Sequence, residues 1–181
     1  QNVRVGVEAG GTTFKVAFVV DKSSSTALYT VNDIIHVEKF ATTEPNETLP
    51  NITNWIRTTL NEKGYKLSHL GIACFGPLDL NKASPTYGFI TTAPKLKWQQ
   101  CNILGHMKRA FPELSDDQFS LDTDVNAPAQ SEVVLHNSKN AEHIGSLAYI
   151  TVGTGIGVGL VVNEKTVHGL MHPEGGHFYT P

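Results

Sequence analysis

The sequence has few cysteines: only Cys74 and Cys101 occur among its 181 residues, and they form no closely spaced motif. It has no block of basic residues and a net charge of −3, so nothing suggests nucleic acid or an anionic membrane surface as a partner. No apolar run approaches the ~20 residues that a membrane-spanning helix needs, and the first residues lack a signal-peptide pattern. These absences predict a reduced, cytoplasmic protein, against which the glycosylation sequons at 46–48 and 51–53 carry little weight.

Apolar residues are plentiful: 40% of the chain is hydrophobic and 17% is charged, as in an ordinary globular protein with a sizeable core. Their spacing predicts strands at 3–7, 14–20, 34–40, 70–75, 119–121, 147–152 and 157–162, and helices at 102–111 and 125–136. A long helix precedes the fourth strand, with Ile52, Trp55, Ile56 and Leu60 on one face and Gly64 just past its end. Residues 76–98 lack periodicity, which indicates a functional or disordered loop.

A glycine turn, Gly10–Gly11, separates the first two predicted strands. It could simply be a hairpin turn that requires positive φ angles. It could also cradle a phosphate, with backbone N–H groups and the hydroxyls of Thr12 and Thr13 facing the anionic oxygens. Glu8, at the end of the preceding strand, would then help to hold a Mg²⁺ ion, usually through water. The turn alone leaves both interpretations open.

A second glycine turn lies within 151–159, where glycines occupy the alternating positions 153, 155, 157 and 159. The segment lacks the Gly-Lys-Ser/Thr of a Walker A loop. The residues after this turn are strand-like, which argues against a GxGxxG dinucleotide fingerprint. Alternating glycines strip side chains from one face of a strand pair, so a ligand can approach the backbone closely. A purely structural reason for all four is the less favoured alternative.

The segment 122–126, Asp-Thr-Asp-Val-Asn, ends a predicted strand and opens a helix. Asp and Asn are favoured N-cap residues, which explains part of this pattern. Asp124 could also take the proton from a sugar hydroxyl, since phosphoryl transfer needs mainly a positioned base and charge stabilisation. The two roles do not exclude each other.

Three ionisable residues, His172, Glu174 and His177, surround a proline and a glycine pair near the end of the sequence. Such a cluster suggests a polyol or metal site. A solvated loop explains the same residues equally well.

Taken in order, these segments resemble the ROK family of sugar kinases and, within it, the bacterial fructokinases. The matching segments are 8–12, 71–80, 84–88, 92–95 with Trp98, 122–126, 151–159 and 174–177, which together cover nearly the whole chain. The resemblance implies an α/β fold of the actin-like ATPase (ribonuclease H-like) type. It also implies an N-terminal domain over 1–121 and the beginning of a second, larger domain over 122–181.

The resemblance further implies roles for individual residues. The ATP phosphates would contact Gly10, Gly11, Thr12, Thr13, Lys15, Gly153, Thr154, Gly155 and Gly157. The hexose would contact Gly76, Pro77, Thr123, Asp124, Glu174 and His177, with Asp124 as the catalytic base. Glu8 would hold Mg²⁺ through water, and His177 would be one ligand of a structural Zn²⁺ in the intact protein.

Three departures from the family pattern bear on these roles. Thr13 stands where the family usually has lysine, and the nearest lysine is Lys15, which should alternate to the same strand face. Thr123 replaces the asparagine of glucose-type members, as in the fructokinases, which favours fructose over glucose. The chain ends four residues after His177, before the family's cysteine-containing zinc segment and adenosine pocket. We therefore expect a truncated chain that is inactive alone.

The sequence thus predicts that the intact protein phosphorylates a hexose with ATP and Mg²⁺, converting fructose to fructose 6-phosphate, and that it forms a homodimer. One alternative is a sugar-sensing regulator of the same family. Those regulators carry a winged DNA-binding domain ahead of the first phosphate loop and tend to lose the phosphate-loop and base residues. Another alternative is a catalytically incomplete fragment that binds sugar weakly.

Overall fold

Strands and helices follow one another in the order that the sequence predicts. The computed structural model describes residues 1–22, 28–153, 155–169 and 174–177. Its elements are β1 (Asn2–Ala9), β2 (Thr13–Val20), β3 (Ile34–Ala41), α1 (Pro45–Lys63), β4 (Lys66–Cys74), β5 (Phe89–Ile90), β6 (Cys101–Asn102), α2 (Ile103–Ala110), β7 (Phe119–Thr123), α3 (Asn126–Lys139), β8 (Leu147–Val152), β9 (Ile156–Val162) and β10 (Lys165–Thr166). Every predicted strand and helix is confirmed, and the two-residue strands β5, β6 and β10 are additional.

A five-stranded sheet with the order β3-β2-β1-β4-β7 forms the larger layer. β1, β2 and β3 pair antiparallel, whereas β4 runs parallel to β1 and β7 runs parallel to β4. The carboxyl ends of β1, β4 and β7 therefore meet at one edge of the sheet, where Ala9, Cys74 and Thr123 lie side by side in register.

Helices α1 and α2 cover one face of this sheet and bury the main core. Val3, Val5 and Val7 alternate inward from β1, and Ile52 and Ile56 of α1 pack in the same cluster. Burial of each such side chain contributes about 1.5–3 kcal/mol. Gly64 ends α1 in the left-handed conformation with φ of 63°, which confirms the predicted helix end. In the described ranges, no helix has both the length and the apolar character needed to cross a membrane.

A second, smaller core lies between α3 and a three-stranded sheet with the order β10-β9-β8. It is centred on Ala129, Val133 and Val161. Strand β7 continues in the first sheet as far as Thr123, where it pairs with Cys74, slightly beyond the predicted domain boundary at 121. The division into two domains stays a prediction.

The predicted loop at 76–98 contains a small sheet of its own, in which β5 pairs with β6. Asp79, which is 6% exposed, organises this region. Its carboxylate accepts hydrogen bonds from Thr86 Oγ1 (2.6 Å) and from the Asn81 N–H (3.0 Å). Hydrogen bonds from the Ser84 and Thr86 side chains lower the pKa of Asp79 below its usual value. The loop is therefore built around a buried carboxylate, which the sequence did not indicate.

Replacing Asp79 with alanine should destabilise the protein by about 1–3 kcal/mol at neutral pH, because the donors around it lose their acceptor. Since the folded-state pKa is depressed, the carboxylate stabilises the fold above its unfolded-state pKa of about 3.9, and that stabilisation is lost as the pH falls through the lower, folded-state pKa. The gap between the denaturation midpoints of the wild type and Asp79→Ala, measured from pH 7 down to pH 3, should stay constant to about pH 4 and narrow below it. The exposed Glu142→Gln is the control, and a gap that stays constant over the whole range would contradict the assignment.

Candidate active site

Three predicted site segments meet at the edge where the parallel strands end. Gly10 and Gly11 follow β1, Phe75 and Gly76 follow β4, and Asp124 follows β7. The Phe75 N–H donates to Ala9 O (2.8 Å), and the Asp124 N–H donates to Cys74 O (3.0 Å), so the ladder continues past the strand ends. Two strand spacings, about 10 Å, separate the first glycine turn from Asp124. Ligands of open α/β sheets bind at such an edge.

A cleft of about 680 Å³ lies between this edge and the β8–β9 hairpin. Its volume is in the range of small-molecule sites. The predicted site residues that line it are Gly76, Pro77, Thr123, Asp124, Gly153, Gly155, Gly157, Glu174 and His177. Those of the first turn, and Glu8 with Lys15, are not among its walls, and Thr154 lies outside the described residues. One cleft therefore holds the predicted base beside the second glycine turn and the Glu174–His177 segment.

Thr123, and not Asp124, serves the amino end of α3. The helix begins at Asn126, and its N-cap residue, Val125, makes no side-chain cap. The Thr123 hydroxyl oxygen accepts a hydrogen bond from the Asn126 N–H (2.9 Å), and Thr123 is 3% exposed. A hydroxyl group that accepts one hydrogen bond can donate another, so Thr123 can still bind a sugar oxygen. Thr123 therefore takes the capping role, and Asp124 lines the cleft.

Asn126 is a fully buried residue that joins the two sheets, and it was not singled out from the sequence. Its Oδ1 accepts from the Leu160 N–H (3.4 Å), and its Nδ2 donates to Val167 O (3.5 Å). Asn126 also lines the cleft. Its place in the 122–126 segment was the one feature of the sequence that pointed to Asn126. The sequence does not distinguish a buried side-chain amide from an exposed one at that position.

The four glycines of the second turn serve two different purposes. A Cβ on Gly153 or Gly155 would meet no atom of the described residues within 4 Å, so a ligand can approach the backbone there. A Cβ on Gly157 would lie 2.7 Å from Thr151 Oγ1, and one on Gly159 would overlap the Val125 carbonyl group. A structural reason, the less favoured alternative from the sequence, therefore accounts for Gly159 and contributes to Gly157.

Glu174 and His177 lie together at the cleft. His177 Nδ1 is 3.1 Å from Glu174 Oε2, and the His177 N–H donates to Glu174 O (3.0 Å). A Cβ on Gly176 would overlap the Ile156 carbonyl oxygen, so this turn packs closely against β9. His172 lies outside the described residues. Among those described, no three His, Cys, Asp or Glu side chains form a group that could hold a metal ion. The zinc role of His177 stays a prediction.

The first glycine turn is a tight hairpin with unused donors. The Gly10 N–H donates to Thr13 O (3.1 Å), and the Thr42 hydroxyl donates to Gly10 O (2.7 Å). Within the described part of the chain, the N–H groups of Gly11 and Thr12 have no hydrogen-bond partner. Both interpretations of the turn are therefore compatible: a hairpin is formed, and two amides remain available to an anion.

Glu8 and Lys15 are cross-strand partners and form an ion pair on the sheet face opposite the core. Lys15 Nζ lies 3.0 Å from Glu8 Oε2, with side chains 47% and 56% exposed. Lys15 alternates with the buried Phe14 and Val16, as expected, and so shares a face with Thr13. Glu8 is accessible enough to hold a hydrated cation, but Lys15 already neutralises part of its charge. The predicted phosphate contact of Lys15 would require that pair to open.

Comparison with known proteins shows the family of this chain and the fold that it shares with solved structures. A model of the ROK family matches residues 4–181. Fructokinases from Lactococcus lactis subsp. cremoris and Zymomonas mobilis are 37% and 36% identical over 94% of this chain, which spans about half the length of these curated relatives (50% and 52%). A ROK family glucokinase from Streptomyces griseus, solved with glucose and AMPPNP, matches with a TM-score of 0.66 and 21% identity, over 94% of this chain and 47% of that one. Xylose repressors of Bacillus also match, at 23% identity over 75% of this chain.

Proposed function

This chain belongs to the ROK family, and we propose that the protein carrying it transfers the terminal phosphoryl group of ATP to the C6 hydroxyl of fructose. The chain has the sugar kinase fold of the actin-like ATPase type, as the sequence predicted. The proposal rests on one cleft, which Asp124 lines together with Gly153, Gly155 and the Glu174–His177 pair. A carboxylate beside an open glycine backbone is the arrangement that phosphoryl transfer needs.

In the proposed reaction, the Asp124 carboxylate orients the sugar hydroxyl and accepts its proton. The sugar oxygen forms a bond to the terminal phosphorus, the bond from that phosphorus to the bridging oxygen breaks, and ADP leaves. Glu174 and His177 would bind sugar hydroxyls, and the glycine turns would bind phosphate oxygens with backbone N–H groups. Glu8 would hold Mg²⁺ through water, and the ion would offset charge that develops on the phosphates. No step involves zinc.

Fructose is the proposed substrate because Thr123 is the residue of the fructokinase pattern and because fructokinases are among the relatives at 36–37% identity. The full-length protein should give a higher kcat/KM on fructose than on mannose, glucose or N-acetylmannosamine. ADP release measured with each sugar, at saturating ATP and Mg²⁺, tests this. A preference for glucose or the amino sugar would overturn the choice of substrate and keep the kinase, whereas no sugar-dependent ADP release would overturn the kinase.

The match to xylose repressors favours a second candidate, a sugar-responsive regulator of the same family. Asp124 and the open Gly153 and Gly155 weigh against it, because a regulator needs neither a base nor a phosphate site. The two candidates differ in nucleotide use: a kinase consumes ATP when sugar is added, and a regulator only binds the sugar.

A further inference from the structure

Phosphoryl transfer needs positive charge near the transferring group, and the first glycine turn supplies none of its own. Residues 9–13 read Ala-Gly-Gly-Thr-Thr and contain no basic side chain. The nearest lysine in sequence, Lys15, is held by Glu8 at 3.0 Å. Two unpaired amides alone give only partial positive charge, and kinases commonly add a lysine or arginine.

Lys95 reaches this turn from a distant part of the chain. A Cβ on Gly11 would lie 3.9 Å from Lys95 Cε, and the contact is through the flexible end of the side chain. Lys95 is half-buried. Across the described ranges its ammonium group has no hydrogen bond or ion pair. By contrast, Lys97 lies 3.5 Å from Glu44 and is 73% exposed.

The position of Lys95 is fixed by Trp98, which is buried in the core. The Trp98 ring stacks on Phe14 with centroids 5.4 Å apart, and its Nε1–H donates to Thr43 O (2.8 Å). The Trp98 N–H donates to Lys95 O (2.9 Å), so the tryptophan anchors the backbone of Lys95 directly. Phe14 begins the buried face of β2 just after the glycine turn, and therefore one anchor holds both the turn and the lysine.

The same segment also reaches the cleft. Thr92 and Pro94 line it together with Asp124, so Lys95 directly follows a residue of the cleft wall while its side chain reaches Gly11. We propose that the Lys95 ammonium group binds the oxygens of the phosphoryl group that is being transferred, together with those two amides. The proposal rests on the proposed kinase function and adds the cation that the turn lacks.

Lys95→Met in the full-length protein tests this, with Lys97→Met as the matched control two residues away. AMPPNP and ADP are titrated with Mg²⁺ into each variant, because only AMPPNP carries a γ-phosphoryl group, which stands where ATP has the group that is transferred. Lys95→Met should weaken AMPPNP binding relative to ADP by about tenfold or more, the effect of one charged hydrogen bond. It should lower kcat by about 10²-fold, while the KM for fructose stays close to that of the wild type. Lys95→Arg should retain most of the AMPPNP preference.

Several results would overturn the role of Lys95. These are an unchanged ratio of AMPPNP to ADP affinity in Lys95→Met, an equal loss for both nucleotides, or the same loss in Lys97→Met. If Lys95→Met does not fold, an unchanged AMPPNP preference in Lys95→Gln would have the same meaning. If the wild type phosphorylates no hexose, the proposed function fails, and the affinity ratio still decides whether Lys95 binds a terminal phosphoryl group.

Discussion

Replacing Asp124 with asparagine in the full-length protein should lower kcat by at least about 10²-fold, the low end for loss of a positioned acid–base group. Sugar affinity should change far less, because the amide can still hydrogen-bond the hydroxyl but cannot take its proton. The Asp124 backbone is held by Cys74 O at 3.0 Å in either variant, so the side chain should keep its position. Single-turnover rates and equilibrium fructose binding separate the two effects.

Asp116→Asn is the matched control, since this carboxyl group lies before the opposite end of β7 and is 87% exposed. Its kcat should equal that of the wild type. A loss of less than tenfold in Asp124→Asn would place the base elsewhere. Even that small loss of kcat could not be explained by a lost helix cap, because the Asn126 N–H donates to the Thr123 hydroxyl and not to Asp124.

Sequence periodicity revealed the elements whose buried residues recur at the regular spacing of a strand or a helix. Val3, Val5 and Val7 alternate because β1 buries one face, and Gly64 ends α1 because a left-handed residue is needed there. The edge of the sheet that carries the candidate active site was also predictable in outline. Its three segments each come directly after a strand, and parallel strands bring their carboxyl ends together.

The features that the sequence did not reveal depend on contacts between distant residues. Asp79 resembles a surface loop residue until the bonds from Thr86 and Asn81 are seen. Trp98 enters the sequence analysis only beside a segment that matches the family, yet it is 1% exposed and its ring stacks on Phe14. The resemblance places Lys15 among the phosphate contacts, and only the cross-strand register pairs it with Glu8. No local pattern encodes these partners.

The sequence also does not reveal which of the alternating glycines contact distant residues. A stability experiment can distinguish them. Gly159→Ala should destabilise the protein by about 3 kcal/mol or more, at or above the upper end of the usual cost of overpacking. The added methyl group would overlap the Val125 carbonyl group and lie 2.9 Å from Asn126 N. These are backbone atoms, so β9 and the start of α3 must move apart. That shift would also break the bond from Leu160 N–H to Asn126 Oδ1.

Gly153→Ala is the matched control, because in the part of the chain that the structure describes its Cβ would meet no atom within 4 Å. Its free energy of unfolding should stay within about 0.5 kcal/mol of the wild type, while ATP binds more weakly since the methyl group occupies the space that a phosphate would use. Urea unfolding and nucleotide titration of both variants separate the two purposes of the glycines. Equal stability of Gly159→Ala and the wild type would mean that β9 does not lie against Val125. A large loss of stability in Gly153→Ala would mean that the open backbone at this turn is filled by the protein and not by a ligand.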